Sequence, residues 1–157
     1  MLRKEDFIEN KEVSDLVRKV CEIDADYVNT ESDVIAKKQP FIISLLLGYH
    51  IDLQEDQLDD ILRVLLLIWE FFKDKKQYSG KQIQAALFDR IQNRNAEMLK
   101  YMDGAESREE QTFITRSDLY NLKSKALFSG VMFLFDHLQS LARMSMYEKG
   151  IILVGMK

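Results

Sequence analysis

The stretch Asp52-Leu53-Gln54-Glu55-Asp56-Gln57-Leu58-Asp59-Asp60-Ile61-Leu62-Arg63-Val64-Leu65-Leu66-Leu67-Ile68-Trp69-Glu70-Phe71-Phe72-Lys73-Asp74-Lys75-Lys76 decides the fold. Leu58, Ile61, Leu62, Leu65, Ile68, Trp69 and Phe72 recur at three- and four-residue spacings, the pattern of one helix face. Asp52 with Glu55 predicts a capping box. Acids crowd the start, where a helix dipole is positive, and Lys73, Lys75 and Lys76 crowd the end, where it is negative. Such a stripe needs other helices to hide it from water.

Working outward, the same periodicity recurs. Val13, Leu16, Val17, Val20 and Cys21 predict a helix over 12–25, and Thr30 reads as the cap of a second. Pro40 either kinks that second helix or begins another, because proline is tolerated in a first turn. Phe41 to Leu47 is apolar on nearly every side and reads as a buried helix ending near Gly48, with a strand as the alternative for so short a run. Downstream, Ser79 is a candidate cap for a helix carrying Ile83, Leu87, Ile91, Met98 and Met102, stopped at Asp103-Gly104. Ala105 to Phe113 is polar and reads as a connection, with a helical turn open at Ser107–Glu110. Thr115 or Ser117 then caps a helix that the spacing from Leu119 to Ala142 extends through about seven turns. Gly130, four residues after Ala126, would allow another helix to approach closely. Gly150 ends the regular pattern, leaving the tail 150–157 unassigned. The expected architecture is all-α, an irregular bundle of five or six helices, with residues 1–157 forming a single helical domain.

Composition supports this reading. A chain of 157 residues with 46% hydrophobic and 31% charged side chains is neither disordered nor membrane-embedded in character. Its longest apolar run, Val64 to Trp69, is too short to span a bilayer. The lone Cys21 rules out an intramolecular disulfide, and no apolar leader follows Met1 to Asp6. A soluble, cytoplasmic protein without a membrane association is expected.

Chemical signatures are mostly missing. Neither His50 nor His137 completes a Glu-x-x-His pair, since Leu47 and Leu134 stand three residues before them. A calcium loop counted from Asp52 puts Gln57 where glycine is required and Arg63 where a bidentate glutamate is required. Asp59-Asp60 lacks a partner carboxylate one turn on, and Glu9 with Glu12 lacks a second acidic pair. Cys21 falls on the apolar side of its helix, where a thiol packs as a small hydrophobe. Asp136 and His137, adjacent on a helix, diverge by about 100° and cannot orient one another. The six glycines are too dispersed for a phosphate loop. No catalytic residue, metal ligand or cofactor site is expected.

Two surfaces remain. Between residues 73 and 100 seven basic residues stand against three acids, inside a chain whose net charge is −4. Helix, turn, helix is also a nucleic-acid-binding outline, with Lys73, Lys75, Lys76, Lys81, Arg90 and Arg94 as the candidate contacts. Lysines at a helix end equally satisfy the dipole. Trp69, Phe71 and Phe72 are the candidate apolar surface for a partner, since adjacent residues point about 100° apart and cannot all face one core. Phe128, Phe133 and Phe135, with Met132, are candidates to line a ligand groove. The leading expectation is a non-enzymatic protein-interaction or scaffold module, a homodimer or bound to an unknown protein partner. A nucleic-acid-binding regulator is the alternative, and an enzyme with its site scattered over several helices is a third reading that motifs leave open.

Overall fold

The structure, a computed structural model, describes residues 4–50 and 53–156. Nine α-helices occur among them: α1 (Lys4–Glu22), α2 (Ala25–Lys38), α3 (Pro40–Tyr49), α4 (Glu55–Phe72), α5 (Ala85–Asp103), α6 (Arg108–Tyr120), α7 (Lys125–His137), α8 (Gln139–Ala142) and α9 (Met146–Met156). No strand is found among the described residues, and Lys76–Tyr78 forms one 3-10 turn. The chain is all-helical, as its periodicity predicts, but with more helices than the five or six expected.

The extra helices come from local caps inside apolar periods that look continuous. The expected seven-turn helix is cut at 121–124, where the Ser124 side chain accepts from Leu127 N–H at 2.9 Å and starts α7. It is cut again at Leu138, whose extended backbone separates α7 from α8. Ser107, accepting from Glu110 N–H at 3.1 Å, turns much of the expected polar connection into α6. Asp24 rather than Thr30 caps α2, and Pro40 takes the first-turn position of α3. Gly150 lies within α9, so the tail is helical through Met156. Lys157 and Asp52 lie outside the described residues, and with Asp52 the expected Asp52–Glu55 capping box. At the start of α4 the Gln57 side chain instead accepts the Gln54 N–H at 3.0 Å.

The Ser79 cap fails for a visible reason. Gly80 adopts φ +73°, a left-handed conformation suited to glycine, and the chain forms no helix over 81–84 before α5 begins at Ala85. The Gln39 side chain holds that segment through two hydrogen bonds. Its Nε2 donates to the Lys81 carbonyl at 2.5 Å and its Oε1 accepts from Ile83 N–H at 2.9 Å. Phe41 and Phe88 meet beside this clasp, with ring centroids 4.8 Å apart.

Helix α4 is the hub, packed against α1, α3, α7 and α8. Its Ile61, Val64, Leu66 and Leu67 are fully buried, alongside Val20 of α1, Leu134 and Phe135 of α7, and Leu141 of α8. Each such side chain contributes on the order of 1.5–3 kcal/mol by leaving water. Gly130 permits the close approach of α7 to α1 anticipated from sequence. A Cβ there would lie 2.7 Å from Val13 Cγ1 and 3.2 Å from Val17 Cγ2. Arg63 Nη1 donates to the Val20 carbonyl at 2.8 Å, placing a cation at the negative end of α1. On α8, Ser140 N–H and Oγ both donate to the Asp60 carboxylate, at 3.2 and 2.5 Å.

Two expectations of burial are corrected. Helix α3 packs against α2 and α4 along one side, so Ile42 is its one buried residue and Leu47 stays 63% exposed. Cys21 is exposed, because Val20 points into the core and the next residue on the helix turns away from it.

Candidate functional site

Polar chemistry concentrates first around Glu70, a buried carboxylate near the end of α4. Lys19 Nζ donates to one of its oxygens at 2.8 Å, and Lys73 Nζ donates to the other at 2.8 Å, where the Tyr27 hydroxyl also donates. Glu31 extends the network, accepting from Trp69 Nε1 at 2.8 Å and from Lys73 at 3.5 Å. Burial pushes the Glu70 carboxyl up, but the hydrogen bonds from Lys19, Lys73 and Tyr27 outweigh it and hold Glu70 below its ordinary range. Burial likewise opposes charge on Lys19 and Lys73, and bonding to Glu70 raises both ammonium groups nonetheless. The Tyr27 phenol is pushed up, by burial first and then by its bond to Glu70. Glu70, Lys19, Lys73 and Tyr27 thus stay in their ordinary charge states at neutral pH. The network ties α2 to α1 and α4.

That network explains two of the expected surface residues. Trp69 and Phe71 are buried, at 6% and 4% exposure, so neither belongs to a surface in this fold. Trp69 turns its indole N–H to Glu31, and Phe71 carries Lys75 Nζ 3.9 Å from its ring centroid. Phe72 is half-buried, edge-on to Phe71 at 4.9 Å and to Tyr78 at 5.0 Å.

The six candidate basic residues divide likewise. Lys73 is held by Glu70 and Glu31, and Lys75 pairs with Glu12 at 3.2 Å. Lys76 and Lys81 are exposed on the connection, and Arg90 and Arg94 are exposed one turn apart on α5. Arg90 and Arg94 line a shallow depression together with Asp89 and Glu97, so that face is of mixed charge. Among the described residues no group of three or more His, Cys, Asp or Glu is placed to hold a metal ion. His137 stacks on Phe133 at 3.7 Å, with Nδ1 2.9 Å from the Phe133 carbonyl oxygen.

A groove of about 450 Å3 lies where the α4–α7 core meets α5, the α6–α7 junction and α9. Ile68 and Phe72 come from α4, Leu127, Phe128 and Val131 from α7, Ile91 from α5, and Leu153 and Met156 from α9. Leu122 lines it from the junction, with Asp118, Asn121, Lys123 and Ser124 as polar neighbours. Arg94 and Asn95 complete the α5 wall. Ser124 is fixed twice, capping α7 and donating to Glu9 of α1 at 2.5 Å. Asn95 is 2% exposed, and its Nδ2 has no hydrogen-bond acceptor among the described residues.

Of the candidate aromatic residues, Phe72 and Phe128 line this groove. Phe135 is core, and Phe133 is largely exposed against His137. Asn95 was the legible signal that sequence reasoning passed over. It stands four residues after Ile91, where the apolar stripe of α5 would continue toward Met98 and Met102. A polar amide in register with an apolar face marks a position where packing alone does not choose the residue. Comparison of the chain with known protein families, with curated proteins and with solved structures finds no match, so the groove is interpreted from its own chemistry.

Proposed function

We propose that this chain is a non-enzymatic binding module whose working surface is the groove between α4, α5, α7 and α9. This reading keeps the expectation of an interaction module and moves its surface from Trp69 and Phe71 to the groove, with Phe72 retained. The carrying observation is the Asn95 amide, buried without an acceptor in the wall of a largely apolar groove. An unpaired buried donor costs about 1–3 kcal/mol, and an occupant that brings an acceptor to it would relieve that cost. The groove's volume falls in the range of about 300–1,000 Å3 typical of pockets for small molecules, and its few polar groups among apolar walls are the composition such sites use.

The neutral apolar dye Nile red tests this reading. Titration of the full chain is expected to give saturable one-to-one fluorescence enhancement, lost in Ile91→Trp with an unchanged far-UV circular dichroism spectrum. An unsaturating response, or one unaffected by filling the groove, removes the reading. Self-association is a second reading, drawn from Phe113, Tyr120, Met146 and Tyr147, all more than 70% exposed. Light scattering coupled to gel filtration decides it: a monomer at every concentration ends it.

A further inference from the structure

The groove has a charge pattern as well as an apolar interior. Arg94 lines it from α5, and Lys123 lines it from the segment between α6 and α7. Both are exposed, and neither forms an ion pair among the described residues; the Lys123 ammonium lies 5.8 Å from the centre of the Tyr78 ring. Most other lysines near the core are spent on carboxylates: Lys19 and Lys73 on Glu70, and Lys75 on Glu12. Two cations without a carboxylate partner among the described residues therefore border an apolar groove in a chain whose net charge is −4. Asp118 is the acid among the lining residues, so cations outnumber it two to one. Asn95, next to Arg94 in sequence, adds a donor without an acceptor to the same wall.

An apolar body satisfies Ile68, Phe72, Leu127 and Val131, whereas the polar end must accept hydrogen bonds and carry negative charge. A phosphate or a sulfated head would meet the cations equally well, but its bulk and hydration suit an open surface better than a wall that includes a buried amide. A carboxylate is small and planar, and it accepts from a guanidinium and an amide at once. We infer that the groove takes a single-tailed carboxylate amphiphile, with its chain against the apolar side chains of α4 and α7 and its head held by Arg94, Lys123 and Asn95. This inference rests on the binding-module reading above, and it adds the chemical class of the ligand. The carboxylate is a free amphiphile rather than an acidic side chain of a partner protein, because the groove is the size of a small molecule.

Calorimetric titration of the full chain with dodecanoate, below its micelle concentration, tests the inference. Dodecan-1-ol and dodecyltrimethylammonium serve as neutral and cationic heads on the same tail. Dodecanoate is expected to saturate one site and to bind at least about tenfold more tightly than the cationic amphiphile. Arg94→Glu/Lys123→Glu, which changes exposed side chains, is expected to weaken dodecanoate at least about tenfold more than it weakens dodecan-1-ol or Nile red. Asn95→Leu is expected to weaken dodecanoate more than dodecan-1-ol. If Nile red binds but dodecanoate does not saturate, or if the charge-reversed variant binds dodecanoate as well as the parent does, the carboxylate assignment fails and the groove reading stands. If neither probe binds, both fall.

Discussion

Helices α4 and α7 differ from α5 and α6 in what they bury. Helix α4 has eight buried residues and α7 has six, whereas the nineteen residues of α5 bury Asn95 alone and the thirteen of α6 bury none. Helical periodicity is present in both pairs, so amphipathic spacing does not distinguish core from cover. Ile83 and Leu87 near the start of α5, and Leu99 within it, remain more than 40% exposed. The lesson is that the hub supplies stability and the α5–α6 pair supplies a wall. Local opening free energies should follow that division, since helices with few buried apolar contacts open below the global unfolding free energy.

The largest expected effect tests the hub. Phe135→Ala removes a fully buried ring and is expected to cost about 3–5 kcal/mol in urea denaturation. A loss below about 1 kcal/mol would erase the contrast between the two regions. Gly130→Ala comes next, with an expected loss of about 1–3 kcal/mol from overpacking against the stiff Val13 side chain. Pairing it with Val13→Ala sharpens the test, because coupled residues in contact give non-additive changes. The double variant should be less unstable than the sum of the two single ones.

Glu70→Gln is expected to cost about 1–3 kcal/mol at neutral pH, since it leaves the bound cations without their carboxylate. Its pH dependence has a definite sign. Glu70 is held below its ordinary value when folded, so its contribution is complete above an unfolded value of about 4.3 and is lost as pH falls through the lower, folded value. Lys19 and Lys73 are raised, so their share is complete below the ordinary amine value and disappears only as pH rises through the higher, folded one. Denaturation from pH 7 downward should therefore show a shallower acid loss in Glu70→Gln than in the parent. The smallest effect belongs to the wall: Phe113→Ala on α6, 73% exposed in the parent, should change stability by no more than about 0.5 kcal/mol.

How much of this was legible in the sequence depended on whether a signal was local. Helix α4 could be read because its acids, its stripe and its terminal lysines lie within one segment. The breaks at Ser124 and Leu138 could not, because their apolar neighbours keep helical spacing straight across the interruption. Trp69 and Phe71 point in different directions from one helix, which suggested a surface. Neighbours on two sides, α1 and α7, enclose α4 more completely than one stripe predicts. The cations needed tertiary information too: nothing near Lys73 or Lys75 in sequence announces Glu31 or Glu12 as partners. Of the groove, Phe128 and Phe72 were visible as candidates, while the place of Lys123 on its border and the unpaired Asn95 nitrogen appear only in three dimensions.

The Gln39 amide closes a ring of chain, joining a residue before α3 to the carbonyl and N–H that lead into α5, 42 and 44 positions later. Closing a longer ring costs only slightly more entropy than closing a short one, but the ring must first be assembled. The outward and return legs, α3 and α4, have to dock before one side chain can reach both groups. Gln39 is therefore expected to latch this segment only after α3 and α4 have docked. Replacing it with alanine should release the lead-in to α5 early under denaturing stress, well before the hub gives way, and convert one cooperative transition into two.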